Sequence, residues 1–105
     1  MTNAYDKKDI LDILSNLYNN LPQKGYSNLR ESILESANKI IKDENPLPII
    51  NMLITTLTNI IISNISNEIP PIIETSNVSL KHMVKKYNKG LWLNDYANLF
   101  GSNNF

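Results

Sequence analysis

Residues 45–67 read NPLPIINMLITTLTNIIISNISN, and this stretch decides the fold. Asn45 offers a side-chain oxygen to cap a helix, and Pro46 suits the first helical position, where its missing N–H is no loss. From there Ile50, Leu53, Ile54, Leu57, Ile61 and Ile65 recur at helical spacing. Leu47, Ile60 and Ile62 join them and leave little fully polar surface. The spacing predicts a helix over 46–66, the central helix of a bundle. The run is uncharged and long enough to cross a bilayer. Asn51, Asn59, Asn64 and Asn67 interrupt it, however, and each amide would need a partner inside lipid, so a core helix of a soluble bundle is the better reading.

On the N-terminal side two further helices are expected. Over 6–21, Ile10, Ile13, Leu14, Leu17 and Leu21 follow the i, i+3, i+4, i+7, i+11 rule, with Asp6 and Asp9 at the positive end of the dipole and Pro22 and Gly25 as terminators. Over 28–43, Asn28 and Glu31 have capping-box spacing and Leu29, Ile33, Ala37, Ile40 and Ile41 form the stripe. On the C-terminal side, Pro70 and Pro71 introduce a fourth helix over 71–88 carrying Ile73, Leu80, Met83, Val84 and Tyr87. Its first half, Thr75, Ser76, Asn77, Val78 and Ser79, consists of poor helix formers. The expected fold class is all-α, an antiparallel up-down four-helix bundle in a single domain, 1–105. Its core contains Leu17, Ile33, Leu53, Leu57, Ile61 and Leu80, and an aromatic-rich tail, 89–105, packs on it.

Composition narrows the function. A chain of 105 residues with 42% hydrophobic and 19% charged residues is one domain and too apolar to be disordered throughout. Ten Lys+Arg against ten Asp+Glu give no net charge, so the electrostatic footprint of a nucleic-acid binder is missing. With no cysteine and one histidine, disulfides, thiolate catalysis and the common zinc sites are excluded. Asp6, Asp9 and Asp12 break any signal-peptide apolar core near the N-terminus, which points to a cytoplasmic protein.

No nucleophile–base pair, paired carboxylates or phosphate loop is present in the sequence, so a non-enzymatic protein without cofactor, metal or small-molecule substrate is expected. His82 lacks an orienting carboxylate nearby in sequence and reads as a surface histidine. Asp6, Asp9 and Asp12 recur every third residue, as carboxylates at a helix start do for the dipole, and not as a cation site. Lys81, Lys85 and Lys89 fall at i, i+4, i+8 with Lys86 beside them. They suit the negative end of the fourth helix or, alternatively, contact with an acidic protein loop or an anionic membrane leaflet. The tail holds Trp92, Tyr96, Phe100 and Phe105, half of the chain's aromatic residues. Such aromatics either fold back on the bundle or meet a partner.

The chain resembles the immunity proteins against pediocin-like bacteriocins, of the enterocin A immunity type. The order of four amphipathic segments agrees over essentially the whole chain. The third helix opens with Asn45-Pro46-Leu47-Pro48-Ile49-Ile50-Asn51, and the tail carries Gly90-Leu91-Trp92, Asp95-Tyr96 and a final Phe105. The resemblance implies a cytosolic, left-turning antiparallel four-helix bundle that protects a bacteriocin producer from its own peptide. It implies action from inside on the bacteriocin-bound membrane subunits of the mannose phosphotransferase permease. By the same resemblance Leu91, Trp92, Asp95, Tyr96 and Phe105 belong to the recognition region. Because long-range charge mainly accelerates encounter, Lys81, Lys85 and Lys89 are expected to steer the approach. The alternative from another class is a peripheral inner-leaflet or adaptor module that uses the lysines and Trp92.

Overall fold

In a computed structural model the chain folds as four α-helices: α1, Lys7–Asn19; α2, Ser27–Ile41; α3, Pro46–Ser63; and α4, Pro71–Phe100. The structure describes residues 6–64 and 67–100, and the side chains of these up to residue 86. Ile65, Phe105 and the rest of 101–105 lie outside the described residues.

Local chemistry places most helix ends. Asp6 is the N-cap of α1, its Oδ1 accepting from the Lys8 N–H at 2.9 Å. Asn20 closes the other end, its Nδ2 donating to the Asn16 carbonyl at 2.8 Å. The connector then turns through Gly25 at φ +90°, and the Arg30 guanidinium holds it by donating to the carbonyls of Leu21 and Gln23. Asn45 caps α3 as expected, accepting from the Leu47 N–H at 3.2 Å, with proline in the first turn.

The start of α2 differs from the expected capping box. Its N-cap is Tyr26, with no side-chain cap bond, and the Tyr26 carbonyl already accepts from the Arg30 N–H at 2.9 Å. Asn28 therefore sits inside the first turn. Tyr26 packs against the core, and that apolar contact decides where the chain enters the helix. At the other end α2 closes with a Schellman pair: Glu44 N–H to Lys39 carbonyl and Asp43 N–H to Ile40 carbonyl, with Asp43 at φ +64°.

The helices pack as a closed square: α1 touches α2 and α4, and α3 touches α2 and α4. Among the described residues no Cα of α1 comes within 8 Å of α3, nor any of α2 within 8 Å of α4. Short connectors between touching neighbours make the array antiparallel. The core is Ile10, Leu14, Leu17, Leu21, Leu29, Ile33, Ile40, Ile49, Ile50, Leu53, Leu57, Ile73 and Leu80. Five of the six expected core residues are there, and Ile61 is only half-buried against it.

Three expectations are corrected. First, α3 is not central. In a square each helix turns only one face inward, so α3 buries Pro46, Ile49, Ile50, Leu53 and Leu57 and leaves Met52 and Ile62 exposed. Second, α3 ends at Ser63, where Asn64 folds back and donates to the Ile60 carbonyl at 2.8 Å. Third, α4 does not stop at 88. It runs as one helix to Phe100, so residues 89–100 of the expected tail are its last turns. One glycine costs a helix interior only about 1 kcal/mol, which Gly90 does not turn into a break. The packing of the side chains from Tyr87 onward lies outside the described residues.

Candidate functional site

Continuity of α4 changes the meaning of the C-terminal residues. Thirty helical residues span about 45 Å and the eighteen of α3 about 27 Å. The final turns of α4 thus extend past its neighbour at the end of the bundle where α1 begins and α2 meets α3. Along α4, positions 74, 78, 81 and 85 follow i, i+4, i+7, i+11, and Glu74, Val78, Lys81 and Lys85 are all exposed. Carried on by the same backbone register, that face takes in positions 89, 92 and 96, occupied by Lys89, Trp92 and Tyr96.

Position 91 falls instead on the register of Ile73, Leu80 and Val84, the side that faces the core. Asp95 falls between the two faces. By backbone register alone, positions 92 and 96 continue the line of the lysine stripe and position 91 does not. The side chains of Lys89, Leu91, Trp92, Asp95 and Tyr96 lie outside the described ones, as does Phe105 entirely.

The helix-dipole reading of the lysines is overturned by the same observation. With α4 ending at Phe100, no basic residue lies in its last turn, and Lys81, Lys85 and Lys89 sit well inside the helix. The dipole acts within about one turn of a terminus, so it gives these charges nothing. Between 81 and 89 there are four lysines and no acid. His82 is exposed beside them.

The N-terminal carboxylates are engaged locally. Asp6 caps α1, and Asp12 accepts from Lys8 Nζ at 3.2 Å. That hydrogen bond, with the attraction of Asp12, raises the Lys8 pKa above its ordinary 10.5. Among the described residues no three His, Cys, Asp or Glu side chains come together as a metal site. Lys7 Nζ meets Asp43 at 2.6 Å and donates to the Ile41 carbonyl at 3.4 Å, tying the start of α1 to the end of α2.

Two features were not anticipated. An open cleft of about 580 Å³ lies between the start of α2 and the end of α3, lined by Tyr26, Asn28, Ser32, Thr56, Ile60 and Asn64 among others, with no carboxylate, lysine or histidine. The outward side of α3 is an uncharged exposed strip: Pro48, Asn51, Met52, Thr55, Asn59 and Ile62. The absence of any Asp, Glu, Lys or Arg from 46–67 was the signal for that strip, visible once α3 is known to sit at the perimeter. No protein-family model, curated protein or solved structure matches this chain.

Proposed function

We propose that this chain is a cytosolic bacteriocin immunity protein of the pediocin-like type. It acts through a protein–protein contact on the bacteriocin-bound membrane subunits of the mannose permease. One observation carries the reading beyond the sequence resemblance. The basic and aromatic positions of the C-terminal region fall on one face of an unbroken helix that outreaches the bundle. Long-range charge mainly accelerates encounter, and an aromatic anchor supplies most of the discrimination in a typical interface. In this reading Lys81, Lys85 and Lys89 steer the approach, and Trp92 and Tyr96 read the partner. Asp95, at the margin of that face, and Phe105 belong to the same recognition region by resemblance. The activity calls for no cofactor and no bond-making chemistry.

The test is expression in a sensitive bacterium challenged with a panel of pediocin-like peptides. Protection against a subset is the expected result. Reversing Lys81, Lys85 and Lys89 to glutamate weakens protection without redirecting it, and exchanging residues 70–105 with a relative of different resistance transfers the spectrum. A chain that protects against none of the panel, or a chimera that keeps the spectrum of its N-terminal donor, overturns the assignment.

A further inference from the structure

The outward side of α3 and the lysine stripe of α4 adjoin. The seam is marked by Asn77 of α4, whose Nδ2 donates to Thr58 Oγ1 of α3 at 3.3 Å. On α4, Lys81 lies one turn from Asn77, and on α3, Thr55 and Ile62 lie one turn either side of Thr58. The two exposed stripes therefore flank one seam and share one side of the bundle. We propose that this α3–α4 side is a docking surface for an anionic lipid bilayer, with α3 laid against the headgroup region and the α4 lysines on the acidic headgroups.

Three observations carry it. The outward side of α3 carries no charge and exposes Pro48, Met52 and Ile62 among its amides and hydroxyls, and Val78 on the exposed face of α4 adds a further uncovered apolar side chain. In the middle of that side the Thr55 Oγ1 donates to the Asn51 carbonyl at 3.0 Å. Moving this hydroxyl into a less polar interface thus breaks few bonds to water, the device by which hydroxyls are tolerated in lipid-facing helices. Finally, the charge beside the strip is of one sign where it is densest: Lys81 and Lys85 are exposed on the stripe, Lys86 is exposed one position on, and Glu74 stands alone at the opposite end. An uncharged face with exposed apolar side chains, bordered by lysines, suits the plane of an anionic surface, held by buried apolar area and by headgroup attraction. A protein partner would be expected to answer the long neutral face with shaped pockets, whereas lipid answers it without them.

The experiment needs no bacteriocin, so its failure is separate from that of the immunity reading. The full chain is sedimented with vesicles of phosphatidylcholine alone and of equal parts phosphatidylcholine and phosphatidylglycerol. The expected result is binding to the mixed vesicles only, reduced by salt. The double variant Lys81→Glu, Lys85→Glu weakens binding about tenfold or more. Thr55→Asp also weakens it, and Lys24→Glu, Lys42→Glu, the same charge change elsewhere, leaves it unchanged. Circular dichroism confirms that each variant is folded. Absence of binding, equal binding to neutral vesicles, or equal loss in the Lys24, Lys42 control overturns the proposal. So does a Thr55→Asp variant that binds like the parent, or a dimer in the ultracentrifuge that Thr55→Asp dissolves, which would give the face to a second copy.

Discussion

Asn77 and Thr58 meet side chain to side chain across the α3–α4 interface, Nδ2 to Oγ1 at 3.3 Å, in a place where the apolar stripe of α4 has a gap. Between Ile73 and Leu80 the inward positions are taken by Ser76 and Asn77, both buried, while Val78 next to them is 66% exposed. The Asn77 Oδ1 has no protein partner.

Half-satisfied buried amides are costly, and the cost rises when the remaining partner goes. Thr58→Val should lower stability by about 1–3 kcal/mol, because the Asn77 amide then loses its acceptor. Asn77→Leu should leave stability equal or raised, and in that background Thr58→Val should be nearly neutral. Urea unfolding of the four proteins checks this as a double-mutant cycle. Additive effects would show that the bond contributes nothing.

Leu57 is fully buried and Ile61, one turn on, is only half-buried. Leu57→Ala should cost about 2–5 kcal/mol, and Ile61→Ala clearly less, since solvent already reaches its side chain. Equal shifts in the urea midpoint would mean that the inward face of α3 is wider than described.

Asp43 holds a left-handed conformation at φ +64° and also pairs with Lys7 at 2.6 Å. The pair is exposed and worth at most about 1 kcal/mol, and a side chain with no local hydrogen-bonding group costs about 1–2 kcal/mol at such a φ. The order of thermal stability should be Asp43→Gly at or above the parent, and Asp43→Ala below it. In high salt, which screens the pair, the glycine variant should gain further on the parent.

Gly90 lies inside α4. Gly90→Ala should increase helix content and protection from amide exchange over 89–100, by about 1 kcal/mol. Gly90→Pro should break the helix there and, under the proposed function, abolish bacteriocin protection while the bundle stays folded. If Gly90→Pro protects fully, the register that aligns Lys81, Lys85 and Trp92 is irrelevant to function.

Lys8 titrates above 10.5 because Asp12 accepts its hydrogen bond. A raised folded-state pKa means that the interaction is complete below pH 10.5 and lost as pH climbs through the folded value. Both side chains are exposed, so the readout is the Lys8 Nζ titration by NMR rather than global unfolding. In Asp12→Asn it should fall back toward 10.5, and added salt should lower it in the parent alone.

What was legible in the chain was legible because its cause is local. Asn45 and Pro46 start α3 through bonds made within two residues, and the stripes of Ile10, Leu14 and Leu17 or Leu53 and Leu57 name their inward faces by spacing alone. The beginning of α2 resisted the same logic. Asn28 and Glu31 have the spacing of a cap, yet the burial of Tyr26 against the core moves the entry upstream.

By itself, then, the sequence determined four helices, their order, and most of the residues that meet at the centre, since helical periodicity and breakers act over a few residues. Only the tertiary structure decided which parts of those helices lie outside. Packing in a square, with each helix touching two others, leaves the far side of an apolar α3 in solvent, and no periodicity within α3 announces that it has no outer neighbours. It likewise brings Asn77 against Thr58 and lets α4 continue past Gly90 into one face shared by lysine and aromatic positions. The geometry of the candidate surfaces belongs to the arrangement of the helices, because a surface is defined by what fails to be covered, and covering is a long-range event.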